Sequence, residues 1–158
     1  NHYNHVKAVD KGKTITWAPA AIIAADKVSF YACAFIGVQD TLFDARGRHY
    51  FEYCYIEGAL DFIFGDGQSY YERCKLNVTT RLLGPGRHKG YITAQGRESA
   101  EESSGFVFRF NSIIGFGTGP TFLGRAYRNH SRVFFYKTYM DNNITPEGWS
   151  AWKNVGHE

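Results

Sequence analysis

Two aspartates, Asp40 and Asp61, stand 21 residues apart in matching surroundings, each three residues after a glycine, Gly37 or Gly58. Two carboxylates in contact cannot both ionise cheaply, so one holds its proton towards neutral pH while the other stays charged. Such a pair supplies an acid and an attacking or basic carboxylate from identical side chains. Gln39, beside Asp40, carries an amide that could donate to a developing oxyanion. Arg125 offers a charge and a fork of donors that could hold the ionised aspartate or a substrate carboxylate. Each has an ordinary counterpart. Asp before Thr41 commonly ends a strand in a turn, and a lone buried arginine is more often a structural ion pair. It is the recurrence of the aspartates in one register that favours chemistry.

The elements that must position them repeat. Phe30-Tyr-Ala-Cys33-Ala-Phe-Ile-Gly37 is followed by Phe51-Glu-Tyr-Cys54-Tyr-Ile-Glu-Gly58 and by Tyr71-Glu-Arg-Cys74-Lys-Leu-Asn-Val78, with the cysteines 21 and then 20 residues apart. A period near twenty in β-rich, aromatic repeats marks a solenoid whose units stack on one another. If each repeat is one coil of a parallel β-helix, equivalent positions lie on neighbouring strands about 4.8 Å apart. Asp40 and Asp61 are then stacked neighbours at the ends of two aligned strands.

Composition agrees. In 158 residues there are 13 Phe, 11 Tyr, 3 Trp and 17 Gly but one Met, which favours β-structure with frequent turns over a helical bundle. With 44% hydrophobic and 21% charged residues the chain is an ordinary globular one. A net charge of +3 leaves open a plain basic surface or a preference for polyanions. No Lys/Arg run suggests nucleic acid, and no apolar run approaches a membrane span. The six histidines (2, 5, 49, 88, 130, 157) lack metal-site spacing, so no metal is expected. No Gly-X-Ser-X-Gly elbow is present, and Gly84–Gly90 lacks the ending of a phosphate cradle.

Along the chain, residues 1–17 are poorly patterned, with a turn at Lys11-Gly12-Lys13. Further turns fall at Asp26-Lys27, at Asp44 to Arg48 and at 66–69. Residues 49–56, 106–114 and 132–139 read as strands, with a loop at 83–90 and another at 98–104. Cys54 and Cys74 hold equivalent places in consecutive repeats, so either a disulfide between stacked coils or buried thiols would fit. Sequons at Asn77, Asn129 and Asn143 tilt towards a secreted glycoprotein. The chain opens mid-pattern on Asn1 and closes on Gly156-His157-Glu158 without a closing element, as a fragment would.

At this point five ordered motifs become recognisable. Gln39-Asp40-Thr41-Leu42, Asp61-Phe-Ile-Phe-Gly65, Tyr91-Ile-Thr-Ala-Gln95-Gly-Arg97, Leu123-Gly124-Arg125 and Gly148-Trp149-X-X-Trp152 resemble the successive motifs of plant pectin methylesterases. The resemblance implies an all-β, right-handed parallel β-helix that removes methyl esters from cell-wall homogalacturonan without metal or cofactor. It implies a secreted, cell-wall monomer and a proteinaceous pectinesterase inhibitor as partner. Asp61 would be the nucleophile, Asp40 the general acid and then base, Gln39 the oxyanion donor, and Arg125 the group orienting Asp61. Arg125, Tyr127, Trp149 and Phe62 would bind the sugar chain. The residues 1–158 would form part of one such domain, lacking its first coils and its C-terminal tail.

The chain departs from that pattern in places. The family has a Gln-Ala-Val-Ala-Leu stretch 22 residues before the Gln of its Gln-Asp-Thr motif. Trp17 stands at that spacing here, and loss of an oxyanion donor costs on the order of 10²–10³ in rate. Leu-Gly-Arg-Pro-Trp is replaced by Leu123-Gly-Arg-Ala126-Tyr127, and tyrosine still stacks on sugars. A non-catalytic, pectin-binding or structural β-helix is the alternative from another class. Paired aspartates on a β-helix would equally suit a polygalacturonase-like glycosidase; the motif wording, not the physics, selects the ester.

Overall fold

The computed structural model describes residues 15–83, 89–115, 119–153 and 155. The expected Lys11-Gly12-Lys13 turn and residues 84–88 of the expected loop lie outside them. The chain winds in coils of three short strands. The first coil is β1 (Ala21–Ile23), β2 (Val28–Tyr31) and β3 (Ala34–Ile36); the second is β4 (Leu42–Asp44), β5 (Arg48–Glu52) and β6 (Tyr55–Gly58). The third is β7 (Leu60–Gly65), β8 (Gln68–Glu72) and β9 (Lys75–Val78). After a 3-10 turn at Thr80–Leu83 come β10 (Gly90–Gln95), β11 (Gly105–Arg109) and β12 (Ser112–Ile114). The last are β13 (Thr121–Arg125), β14 (Val133–Tyr136), β15 (Tyr139–Met140) and β16 (Trp149–Ser150). Each coil gives one strand to each of three sheets, ordered β1-β4-β7-β10-β13-β16, β2-β5-β8-β11-β14 and β3-β6-β9-β12-β15, with every pairing parallel. The expected parallel β-helix is the fold.

Period-2 alternation turns one row of each strand inwards. Phe30, Phe51, Tyr71, Phe108 and Phe135 form one internal aromatic column, with successive ring centres 5.2, 4.5, 4.6 and 4.5 Å apart. Stacked pairs of this kind add about 0.5–1.5 kcal/mol each beyond the burial of their area. Runs expected as single strands are two strands each. The chain bends between β5 and β6 at Tyr53 and between β11 and β12 at Phe110, where φ is 53° and 55°. Ala32, Arg73 and Lys137 bend the other three coils at the same corner with φ of 51°, 51° and 46°. These residue types carry no turn signal; the backbone ladder enforces the bend, since Tyr53 N–H reaches the Glu72 carbonyl at 3.1 Å and Phe110 N–H that of Tyr136 at 3.1 Å. The expected turns are also shorter, because Asp44 closes β4, Arg48 opens β5, and Gln68 and Ser69 belong to β8.

Cys54 and Cys74 are not a disulfide. With Cys33 they are free thiols stacked coil over coil. Each buried Sγ lies against carbonyls instead, Cys54 near Phe30 and Glu52 (both 3.5 Å) and Cys74 near Phe51 (3.5 Å) and Glu72 (3.4 Å). Burial pushes the Cys74 thiol up to about 12. Asn111 continues the column in the next coil, its Oδ1 accepting the Cys74 N–H at 2.6 Å and its Nδ2 donating to the Tyr71 carbonyl at 3.0 Å.

Candidate active site

Asp40 and Asp61 meet on the β1-β4-β7-β10-β13-β16 sheet. Gln39 pairs with Leu60 and Leu42 with Ile63, so the register sets Asp40 opposite Asp61. The Asp40 N–H donates to the Leu60 carbonyl at 2.9 Å. Both aspartates hold left-handed backbone, with φ of 57° and 47°. That region costs most L-residues on the order of 1–2 kcal/mol, and Asp tolerates it better than most. The surrounding strands impose it. Leu60 pairs with Tyr91 while Ile63 pairs with Thr93, so Asp61 and Phe62 together face a single residue of β10. This bulge breaks the alternation and re-aims the Asp61 side chain.

The glycine three residues earlier has a related purpose. A Cβ on Gly58 would stand 2.2 Å from Phe62 Cβ, and one on Gly37 would stand 2.6 Å from Thr41 Oγ1. In each coil the residue after the aspartate folds back over that glycine. The repeated Gly-X-X-Asp spacing is thus a steric requirement for presenting the carboxylate. Phe62 is therefore core rather than sugar-binding surface: it is fully buried, and that expectation is corrected.

Asp61 is buried, 8% exposed, and gripped by Arg125, whose Nε donates to Oδ1 at 2.8 Å and Nη2 to Oδ2 at 2.5 Å. Burial raises the Asp61 carboxyl above its ordinary value, while the Arg125 hydrogen bonds and charge oppose the rise. Asp40 is pushed up to about 7, first by burial and then by the Asp61 charge; Arg125 and a hydrogen bond from Gln39 act against it. One carboxyl thus shares a neutral-range proton while its neighbour has a bidentate cation. Gln39, Asp40, Asp61 and Arg125 come together as expected.

Of the expected sugar-binding residues, Tyr127 and Trp149 are each 46% exposed. The Ala18 N–H bonds the Gln39 carbonyl at 3.3 Å, which sets Trp17 on the adjoining turn of chain with 60% of its surface exposed. Two aromatic residues at Arg125 went unread in the sequence. The guanidinium carbon lies 4.2 Å from the Tyr91 ring centre and 4.1 Å from that of Trp152. Both stood inside recognised motifs, yet nothing in their spacing points to an arginine. Among the sequons, Asn129 is exposed, whereas the Asn77 amide donates to Glu57 Oε2 at 2.8 Å and Asn143 is half-buried. No group of three or more His, Cys, Asp or Glu side chains converges as metal ligands would, among the described residues.

The Pectinesterase family model matches residues 9–157. The chain belongs to the pectinesterase family. Probable pectinesterase 29 of Arabidopsis thaliana is 52% identical over 143 residues, covering 90% of this chain and 42% of that protein. Probable pectinesterase 8 of the same plant is 50% identical, covering 89% of this chain and 36% of that protein. The pectin methylesterase of Aspergillus niger superposes with a TM-score of 0.78 at 33% identity, over 88% of this chain and 46% of that one. Carrot pectin methylesterase gives 0.77 at 29% identity, over 84% of this chain and 43% of that one. A pectin methylesterase in complex with a hexasaccharide gives 0.64 at 28% identity, over 76% of this chain and 40% of that one. This pectinesterase chain spans less than half the length of the curated relatives it matches.

Proposed function

We propose that the protein hydrolyses methyl esters of homogalacturonan, releasing methanol and leaving pectate, with Asp61 as nucleophile and Asp40 as acid and base. The observation that carries the reading is the division of labour between two adjacent carboxyls: Asp61 held by Arg125, Asp40 raised to about 7. An Asp61 oxygen attacks the ester carbonyl, and the Gln39 amide, released from Asp40, donates to the oxyanion that forms. Collapse breaks the C–O bond to the methoxy group as Asp40 delivers its proton to the departing oxygen. Water then loses a proton to the Asp40 carboxylate and adds to the acyl carbon of the mixed anhydride. The new carboxyl leaves, Asp61 returns to its ion pair, and Asp40 is protonated again.

Tyr127, exposed and stacked on the Trp152 ring that lies against Arg125, supplies a face for sugar rings, and Arg125 borders the bound carboxyl. Trp149 lies instead against Phe135, at the end of the internal aromatic column. The hexasaccharide complex of a related pectin methylesterase supports an oligosaccharide ligand. The reading carries with it a secreted, monomeric protein of the cell wall, open to a proteinaceous pectinesterase inhibitor, with Asn129 as its accessible glycosylation site. The test is methanol release from highly methylated pectin by the protein beside Asp61→Asn. Methanol from the first and not the second supports the reading. New reducing ends without methanol would make it a glycosidase. Neither product from a folded protein would leave a pectin-binding β-helix, the reading that exposed Trp17 beside Gln39 favours.

A further inference from the structure

Arg125 is the middle layer of a stack. Phe122 lies parallel to Tyr91, ring centres 5.3 Å apart and planes 7° apart. The guanidinium sits between Tyr91 and Trp152 at 4.2 and 4.1 Å, and Tyr127 stacks on Trp152 at 6.2 Å with 26° between planes. The edge of the same guanidinium makes the bidentate contact with Asp61. A planar fork held on its faces by aromatic rings keeps only one direction for its donors.

We propose that Tyr91 and Trp152 are positioning residues for the reaction, gripping the two faces of Arg125 so that its fork stays on Asp61. The role rests on the esterase reading, in which a nucleophile must be ionised and aimed before ester arrives. Three features separate Trp152 from an ordinary packing residue. It is half-buried and stands outside the hydrophobic core. It lies beyond β16, a strand of two residues that pairs, among the described residues, with Gly124 and Arg125 alone. Its own backbone is left-handed, with φ of 50°, a conformation that a bulky side chain keeps only when its surroundings impose it. The charged groups facing Asp61 are Asp40 from the turn before β4 and Arg125 from β13, while Lys153 lies against the Trp152 ring at 4.6 Å.

The experiment compares Trp152→Leu, Trp152→Phe and Tyr91→Leu. For both leucine variants we expect kcat to fall about tenfold with KM within twofold. A looser Arg125 lets Asp61 hold its proton more tightly, so the acidic limb of the kcat profile moves to higher pH. Trp152→Phe restores a flat ring and returns both quantities most of the way. A second reading needs no turnover: the titration of the Asp61 carboxyl carbon by NMR, whose midpoint should rise in the leucine variants and recover in Trp152→Phe. An unmoved Asp61 midpoint in a folded leucine variant overturns the proposal, as does a loss confined to KM, which would make Trp152 a sugar platform. If the unsubstituted protein releases no methanol, the esterase reading fails while the carboxyl titration still decides the grip. Tyr91→Leu decides it from the other face should Trp152→Leu not fold.

Discussion

Asp40 and Asp44 lie four residues apart in one coil and have opposite fates. Asp44 turns inwards and is completely buried, with Oδ1 2.5 Å from His49 Nδ1 and Oδ2 accepting the Tyr71 hydroxyl at 2.6 Å. His49 completes the set by donating from Nε2 to the Ala25 carbonyl at 2.7 Å. Both oxygens of Asp44 are thus matched within three successive coils. Asp40 and Asp61 face outwards, lie on left-handed backbone and share one arginine between two carboxyls. The residue type is the same; the number of matched partners differs. A fully matched carboxylate fastens coils together, and an under-matched pair keeps a proton in play at neutral pH.

Exchanging losses between the two groups tests that contrast most severely. Asp40→Asn should lower methanol release by on the order of 10²–10⁴, the usual worth of a general acid, while the protein unfolds in urea no earlier than the parent at pH 6. Asp44→Asn should do the reverse. It leaves a buried imidazolium without its counter-ion and should cost about 3–5 kcal/mol in a urea titration, with activity per folded molecule within a few-fold of the parent. An Asp44→Asn protein that stays stable but loses activity would dissolve the distinction.

The outward pair was legible in the sequence because stacking follows from a constant coil length, and 21 residues separate Gly37 from Gly58 as well as Asp40 from Asp61. The same arithmetic stops at the fourth coil. Tyr71 stacks on Phe108, 37 residues later, because the 3-10 turn and the polar loop enlarge that coil. Phe62, placed among the sugar-binding residues by the resemblance, is core because it folds back over Gly58 after a bulge at Asp61 that adds a residue on one side only. Trp152 and Tyr91 belong to different coils and meet only through Arg125, so no local pattern records the contact. The inward network was hidden for a similar reason. Nothing about His49 or Asp44 alone says that a third coil brings Tyr71.

A smaller effect sharpens the contrast through pH. The Asp40 carboxyl is raised to about 7 in the folded protein, against an unfolded value near 3.9. The folded state therefore binds the proton more tightly. Stability from this source is complete below the unfolded value and disappears as pH rises through about 7. With allowance for its partial exposure, the loss between pH 5.5 and pH 8.5 is about 1–2 kcal/mol. Asp61 adds to it in the same direction. Asp40→Asn removes its own titration and leaves the part that comes from burial of Asp61, so urea midpoints at the two pH values should draw closer together. Midpoints that stay as far apart as in the parent would place the alkaline loss elsewhere.

The smallest effect belongs to the inward network and has the same sign for a different reason. Burial by itself would lower the His49 imidazole, but Asp44 and the Ala25 carbonyl stabilise its charged form and lift it above the ordinary value. Its contribution is therefore complete below the unfolded value near 6.5 and fades as pH rises through the higher folded one. In the parent this fading is hidden under the larger Asp40 change. In an Asp40→Asn background it stands beside the Asp61 contribution alone, and adding His49→Gln should reduce the slope that remains while lowering stability at every pH, because the Asp44 carboxylate loses a charged donor. If instead His49→Gln leaves the slope unchanged, the inward network does not titrate in this range. The contrast between a matched and an under-matched carboxylate would then hold without any proton moving on the matched side.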